Sequence, residues 1–102
     1  MIFKELELNG SYSISLEPKE DERGFFSRVF CQNDFSSKGL EHNWVQINNS
    51  FNKDKGTLRG MHMQINPHDE VKLVKCIQGE IFDVIVDLRK DSKTFGNWVG
   101  KK

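Results

Sequence analysis

The chain has 102 residues, with 15 acidic and 15 basic side chains and a formal net charge of zero. This length suits one small domain with a single core, so the sequence predicts one domain over residues 1–102. A composition of 29% charged and 36% hydrophobic residues excludes an intrinsically disordered chain and favours a soluble, globular one. The absence of a basic excess argues against binding to a nucleic-acid backbone.

Segments that would direct the chain to a membrane or out of the cell are not found in the sequence. No apolar run approaches the roughly 20 residues that span a bilayer. The start, MIFKELELNG, lacks the long apolar stretch of a signal peptide. These features predict a cytoplasmic protein without membrane contact. The two cysteines, Cys31 and Cys76, form no Cys-x-x-Cys pair, which favours two reduced, buried thiols over a disulfide or a structural zinc site.

Short segments of strand character dominate the chain and are separated by turn signals. In order, the predicted strands are 2–8, 11–16, 25–31, 44–51, 57–64, 71–78 and 80–89. A single short helix is predicted at 33–39, with Asn33 as its N-cap and Gly39 at its end. Many short strands with one helix are typical of a β-sandwich or barrel.

The clearest predicted strand is EIFDVIVDLR, residues 80–89. Alternation places the even-numbered residues from Phe82 to Leu88 on one face, which is interpreted as core. The odd-numbered residues from Ile81 to Asp87 fall on the opposite face and are mixed in polarity. That second face fits the wall of a polar cavity, a subunit contact, or simply two aspartates on a solvated surface.

The stretch KGTLRGMHMQ, residues 55–64, places Arg59 and His62 in an otherwise apolar segment. Strict alternation puts these two side chains on opposite faces, and Gly60 between them would mark a bulge that re-aims one of them. A lone histidine on a strand is more often structural than catalytic. The functional reading of His62 is a general base, since histidine is the usual base near neutral pH.

Other polar residues also admit two readings. Lys72 is either a solvated strand-end residue or a cation that stabilises a developing oxyanion. Arg23 is either the partner in a turn salt bridge or a bidentate phosphate ligand. Gln46, Asn48 and Ser50 share one face of a predicted strand, which is either the wet side of a sheet or the lining of a ligand pocket.

The pattern around His62 is reminiscent of the first cupin motif, in which His-x-His and a later Glu bind a metal. Here Gln64 occupies the second histidine position, so only His62 and Glu70 remain, and these two donors make a poor metal site. The sequence therefore predicts a cupin-like barrel without a metal.

Taken together and in order, DERGFF, WVQINNS, KGTLRGMHMQ, EVKLVKC, GEIFDVIVDLR and KTFGNWVG resemble the dTDP-4-dehydrorhamnose 3,5-epimerase family of nucleotide-sugar epimerases. The resemblance covers nearly the whole chain and corresponds to the N-terminal portion of the family. It implies an all-β, cupin-like jelly roll, usually a homodimer with exchanged strands. It also implies inversion of C3 and C5 of a nucleotide-linked 4-keto-6-deoxyhexose, without metal or redox cofactor, in rhamnose, O-antigen and lipopolysaccharide synthesis.

The resemblance also assigns catalytic roles to three residues. His62 would be the base that removes the acidic proton next to the C4 ketone. Lys72 would stabilise the resulting enolate, because a cation near the C4 oxygen favours the charged intermediate. Asp83 would orient His62.

Substrate-binding roles are implied in the same way. Arg23 and Arg59 match diphosphate-binding arginines, and Phe26 matches an aromatic position near the base. Gln46 and Asn48 match positions that contact the nucleotide end.

Two departures from the family pattern qualify this assignment. Arg28 stands where the family commonly has a glutamate that helps to read the nucleotide base, which leaves room for a nucleotide other than thymidine. The tyrosine acid and the aspartate partner of the catalytic histidine, which belong to the later half of the family, have no counterpart, and Tyr12 does not replace the tyrosine by motif.

The chain is therefore interpreted as a truncated epimerase or fragment, as a protein that completes a barrel by self-association, or as one that needs a separate partner chain. The alternative function is a non-catalytic nucleotide-sugar-binding cupin or partner subunit.

Overall fold

The computed structural model describes all residues from Met1 to Lys102 and is built mainly from short strands. The elements are β1 (Ile2–Glu5), β2 (Tyr12–Ser15), β3 (Lys19–Asp21), β4 (Gly24–Phe26), α1 (Gln32–Ser37), β5 (Asp83–Val86) and β6 (Trp98–Lys101). The strands form three separate antiparallel pairs, β1–β2, β3–β4 and β5–β6. The predicted all-β class is confirmed, whereas no closed barrel is formed.

The chain divides into two compact units. The first comprises residues 1–29 and 75–102 and contains all six strands, and the second comprises residues 30–74 and contains the helix. Candidate site residues occur in both units, and each unit is described by itself below.

The β1–β2 hairpin of the first unit pairs Ile2 with Ser15 and Glu5 with Tyr12. Its connection is closed by the backbone N–H of Ser11, which donates to the carbonyl of Leu8 at 3.0 Å. Leu8 is one of only two buried apolar side chains in the chain, at 4% exposure. The connection is therefore held by its own hydrogen bonds and by one buried leucine.

The β3–β4 hairpin differs from the predicted strand at 25–31. Strand β4 ends at Phe26, and it pairs with residues 19–21, for which no strand was predicted. Asp21 pairs with Gly24 across a two-residue turn. The predicted turn at ERG is confirmed, but the two strands that it joins, β3 and β4, lie closer to the turn than the predicted strands.

The β5–β6 hairpin confirms the centre of the predicted strand at 80–89 and shortens it to 83–86. The core prediction for its even face is correct for Val84 and Val86, which are half-buried, and wrong for Phe82 and Leu88, which are exposed. The physical reason is that the hairpin has no layer packed beyond its ends. Asp87, from the opposite face, is instead the buried residue, at 4% exposure.

The predicted strands at 44–51, 57–64 and 71–78 are wrong for this structure, because no ladder forms there. Their apolar side chains are exposed, with Val45 fully exposed and Leu58 at 91%. Apolar alternation favours a strand only where a neighbouring segment supplies hydrogen bonds and a second apolar face, since even an isolated hairpin is marginal in water. None of the three segments has such a neighbour.

The short helix α1 packs the second unit around Phe35, the other buried apolar side chain, at 2% exposure. Its ring contacts that of Phe30 at a centroid distance of 4.9 Å and that of Trp44 edge-on at 6.4 Å. The predicted cap at Asn33 is wrong, because Asn33 lies inside the helix and the N-cap is Cys31, which makes no side-chain capping bond.

Helix α1 ends at Ser37, two residues before the predicted end, and Gly39 follows the C-cap as the terminating glycine. The Gly39 φ of +67° lies in the left-handed region that glycine adopts without strain. Its N–H donates to the carbonyl of Ser36 at 2.9 Å. The chain reversal after α1 therefore depends on a glycine at this position.

Both cysteines are unpaired, as predicted. The prediction that they are buried is wrong: Cys31 is half-buried beside the helix, and Cys76 is exposed. The Cys76 thiol contacts the carbonyls of Gln78 and Gly79. The structure contains no helix with the length and apolar character needed to cross a membrane.

Candidate functional site

The nine candidate site residues are divided between the two units. The second unit carries Gln46, Asn48, Arg59, His62 and Lys72. The first unit carries Arg23, Phe26, Arg28 and Asp83. All nine are exposed.

Arg59 is held by neighbours in its own unit. Its Nε donates to Asn52 Oδ1 at 2.5 Å, and its Nη2 donates to the carbonyl of Phe51 at 3.2 Å. A guanidinium has five N–H donors, so Nη1 keeps both of its protons available. The side chain is therefore oriented by two protein acceptors and still presents donors to an anionic ligand.

His62 lies next to a glycine whose conformation matters. Gly60 has a φ of +83°, which a residue with a side chain rarely adopts. A Cβ at position 60 would lie 3.4 Å from His62 Nδ1, an ordinary van der Waals contact, so the glycine is favoured by its φ and not by lack of space. The bulge predicted at Gly60 does not form, because residues 57–64 belong to no strand ladder.

Lys72 pairs with a residue that was considered as a metal ligand. Its Nζ lies 3.4 Å from Glu70 Oε1, and both side chains are nearly half exposed. Exposed pairs of this kind contribute about 0–1 kcal/mol, so a ligand can displace Glu70 at little cost. Lys72 is thus an accessible cation with a weakly held partner.

The polar residues Gln46 and Asn48 are exposed and lie in a segment without strand structure. The polar stripe predicted from their alternation therefore does not form, because these residues belong to no sheet. Their amide groups remain available to a ligand.

Arg23 forms the turn salt bridge that was one of its two predicted roles. Its Nη2 lies 2.6 Å from Asp21 Oδ2, and its Nε donates to Asp21 Oδ1 at 3.4 Å. The backbone N–H of Arg23 also donates to Asp21 Oδ1, at 2.9 Å. These bonds to Arg23, the side-chain bond first, lower the pKa of the Asp21 carboxyl below its ordinary value.

The other three candidates of the first unit lie on strands or beside them. Phe26 ends β4 with 73% of its surface exposed, and Arg28 follows it. Asp83 begins β5 opposite Lys101 and is exposed. Within this unit, neither hydrogen bonds nor ion pairs join any two of Arg23, Arg28 and Asp83.

Surface depressions in the first unit do not coincide with these candidates. One of about 370 Å³ lies beside Leu8 and Trp98. Another of about 390 Å³ lies beside Pro18 and Phe25. None of the nine candidates lines either depression.

The sequence reading missed a polar cluster around Asp87, which it had placed only on a mixed face. Arg89 donates to both carboxylate oxygens of Asp87, each at 2.9 Å. The hydroxyls of Ser92 and Thr94 donate to Asp87 Oδ2 at 2.5 and 2.7 Å. The spacing Asp-x-Arg, which occurs both in DER and in DLR, was the available signal.

This cluster stabilises the charged form of Asp87. The bonds from Arg89, followed by those from Ser92 and Thr94, hold the pKa of the carboxyl well below its usual range. Because Asp87 N–H also donates to Asn97 and its carbonyl accepts from Gly96, the cluster closes the turn between β5 and β6. Its evident role is to fix the hairpin that carries Asp83.

We expect Asp87→Asn to lower the melting temperature by several degrees and to flatten its dependence on acidic pH. A carboxyl whose folded pKa is depressed stabilises the fold fully above its unfolded value of about 3.9, and that stabilisation is lost as pH falls below it. The melting temperature of wild type should therefore fall as pH is lowered from about pH 5 to pH 2, and that of the variant should fall less. Asp91→Asn, in the same turn but exposed and without a partner, is the matched control. Equal acid sensitivity in wild type and Asp87→Asn would contradict the assignment.

Comparison with known proteins identifies a family over almost the full chain. The family model described as dTDP-4-dehydrorhamnose 3,5-epimerase matches residues 5–102. A protein of that name from Shigella flexneri is 52% identical over 87 residues, covering 82% of this chain and 48% of the relative. One from Methanothermobacter thermautotrophicus is 46% identical over 98 residues, covering 96% of this chain and 52% of the relative.

The chain thus spans about half the length of these curated relatives. A Salmonella typhimurium protein of the same name agrees, being 50% identical over 83% of this chain and 48% of its own length. No solved structure matches the chain significantly. The matched region includes all nine candidate site residues.

Proposed function

This chain belongs to the dTDP-4-dehydrorhamnose 3,5-epimerase family, and from that membership we propose that it acts in epimerisation at C3 and C5 of a nucleotide-linked 4-keto-6-deoxyhexose. The observation that carries the proposal is the family match over residues 5–102, because it spans the segment with Arg59, His62 and Lys72. The product belongs to deoxysugar synthesis of the rhamnose and O-antigen type.

The proposed chemistry needs a base and a cation. The protons on C3 and C5 are acidic because both carbons adjoin the C4 ketone. His62 removes one of them, and the electron pair of the broken C–H bond moves to the C4 oxygen as an enolate. Lys72 stabilises that oxygen electrostatically. A proton from solvent returns to the opposite face of the carbon as the electron pair leaves the C4 oxygen, and His62 releases its proton to solvent, which completes the inversion. Asp83 is assigned to orient His62, and no metal or redox cofactor takes part.

Binding is assigned to the arginines and to the polar residues around them. Arg59 and Arg23 contact the diphosphate, since guanidinium groups match its oxygens bidentately. Gln46 and Asn48 contact the nucleotide, Arg28 lies near its base, and the exposed ring of Phe26 covers the sugar. The free Nη1 of Arg59 supports this assignment.

The proposed active form is a cytoplasmic homodimer with a jelly-roll fold. The apolar side chains exposed along 44–51, 57–64 and 71–78 support burial of these segments on association. A second candidate is a nucleotide-sugar-binding cupin, or a subunit completing a partner, that performs no turnover. The accessible donors of Arg59 and the weakly held Lys72 support ligand binding in either candidate.

Proton exchange in heavy water separates these functions. The nucleotide-linked 4-keto-6-deoxyglucose is incubated with the chain, and the C3 and C5 proton signals are followed by NMR. Loss of these signals supports the epimerase. Line broadening of the ligand signals without signal loss supports the binding module. A result that shows neither signal loss nor broadening would contradict both functions.

We expect Arg59→Ala to weaken binding of thymidine diphosphate by about 10- to 100-fold, because a charge-assisted hydrogen bond contributes about 1.5–3 kcal/mol. Calorimetric titration measures this loss. Arg59→Lys is the matched variant, which keeps the charge but loses the bidentate fork and should bind with intermediate affinity. Unchanged affinity in Arg59→Ala would remove this residue from the diphosphate site.

A further inference from the structure

The β3–β4 turn holds Arg23 in a defined way. Asp21 is the last residue of β3, and its Oδ1 accepts from the backbone N–H of Arg23 at 2.9 Å and from Nε at 3.4 Å. Its Oδ2 accepts from Nη2 at 2.6 Å. One carboxylate therefore fixes both the turn and the side edge of the guanidinium.

The same arrangement recurs at the other Asp-x-Arg sequence of this unit. Asp87 accepts from the backbone N–H of Arg89 at 3.0 Å and from its Nε and Nη2, each at 2.9 Å. The exposures differ, since the Asp87 side chain is 1% exposed and that of Asp21 is 48% exposed. We call this set of three bonds, from one arginine to the carboxylate two residues before it, the clamp. Its recurrence indicates that the clamp arises from the Asp-x-Arg spacing and does not require burial of the aspartate.

We propose that Asp21 is a positioning residue, which holds Arg23 by its Nε–Nη2 edge so that the Nη1–Nη2 end receives an oxygen of a diphosphate. The Arg23 side chain is 84% exposed, and both Nη1 protons and one Nη2 proton are left unused by the clamp. This inference rests on the proposed nucleotide-sugar function, to which it adds a residue with no assigned role.

Two opposing effects decide whether Asp21 strengthens or weakens diphosphate binding. The Asp21 charge repels a singly charged phosphate oxygen; at about 6 Å in water this corresponds to about a threefold loss of affinity before screening by salt. An arginine that is not held loses rotamer entropy when it binds, which corresponds to a loss of up to about 30-fold in affinity. We expect the positioning gain to outweigh the repulsion, so that the clamp strengthens diphosphate binding.

The test compares Asp21→Asn with Glu22→Gln in the full chain. Asn retains an oxygen for the backbone N–H of Arg23 but loses the charged grip on the guanidinium. Glu22 is the adjacent turn residue and makes no hydrogen bond or ion pair, so its variant removes the same charge without touching Arg23. Affinity for inorganic pyrophosphate is measured by calorimetry at fixed ionic strength, and mobility of the Arg23 Nε–H by ¹⁵N relaxation, with Arg89 as internal reference.

We expect Asp21→Asn to bind pyrophosphate about three- to tenfold more weakly and to free the Arg23 Nε–H, while Arg89 is unchanged. Glu22→Gln should bind as tightly as wild type or more tightly. Equal or tighter binding by Asp21→Asn would overturn the proposal and make Asp21 a competitor of the phosphate, and absence of pyrophosphate binding in both wild type and variant would overturn it as well. The heavy-water exchange assay tests the epimerase function separately, so the two can fail independently.

Discussion

Replacing His62 by alanine is expected to reduce exchange of the C3 and C5 protons by at least about 100-fold, because general-base catalysis contributes about 10²–10⁴ in rate. His62 is exposed and has no hydrogen-bond partner, so its removal should change the free energy of unfolding by less than about 0.5 kcal/mol. Any loss of exchange would therefore report chemistry and not misfolding. The measurement is the NMR time course in heavy water, with amide dispersion as the check of folding.

His68→Ala is the matched control for this experiment. His68 is also exposed and lies six residues further along the same unit, in a turn closed by its backbone bond to Ile65. Its removal should leave exchange unchanged. Equal losses in both variants, or full exchange in His62→Ala, would contradict the assignment of His62 as the base.

Phe35→Ala is expected to destabilise the second unit by about 3–5 kcal/mol, which is the usual cost of truncating a buried phenylalanine. The reason is that Phe35 is the only buried apolar side chain of this unit and joins the rings of Phe30 and Trp44. Urea unfolding followed by tryptophan fluorescence measures the change, with Trp98→Phe as the background so that Trp44 alone reports.

Phe51→Ala provides the comparison, because Phe51 belongs to the same unit but is 83% exposed. Its truncation should change stability by less than about 0.5 kcal/mol. A similar loss in both variants would show that the exposed aromatic ring is buried in solution, for example by self-association, and would redirect attention to the exposed apolar segments.

Three of the four candidate cations, all except Arg28, have a nearby protein acceptor. Arg23 is held by Asp21, Lys72 by Glu70, and Arg59 by Asn52 together with the Phe51 carbonyl. The consequences for a ligand differ in kind. Arg59 keeps its full positive charge because its acceptors are neutral. Arg23 and Lys72 are neutralised by carboxylates. Arg23 therefore contributes to ligand binding mainly through its fixed orientation, and Lys72 contributes when the ligand displaces Glu70.

Local interactions were predictable where a few consecutive residues decide them. The turn at ERG, the glycine that ends α1 and the unpaired thiols follow from residue type and spacing, and the ordered motifs identified the family. The Asp87 cluster also consists of residues within eight positions of one another, and the Asp-x-Arg spacing would have revealed it.

Pairing and burial depended on the tertiary structure. The sequence by itself determined the family, and the resemblance to that family is what nominates Arg59, His62 and Lys72 for the chemistry. Only the tertiary structure decided that β3 pairs with β4, that Asp87 rather than Leu88 is buried, and that residues 44–78 form no ladder. The physical reason is that alternation specifies which face of a strand is apolar, whereas a strand exists only when another segment supplies the hydrogen bonds and the surface that cover it.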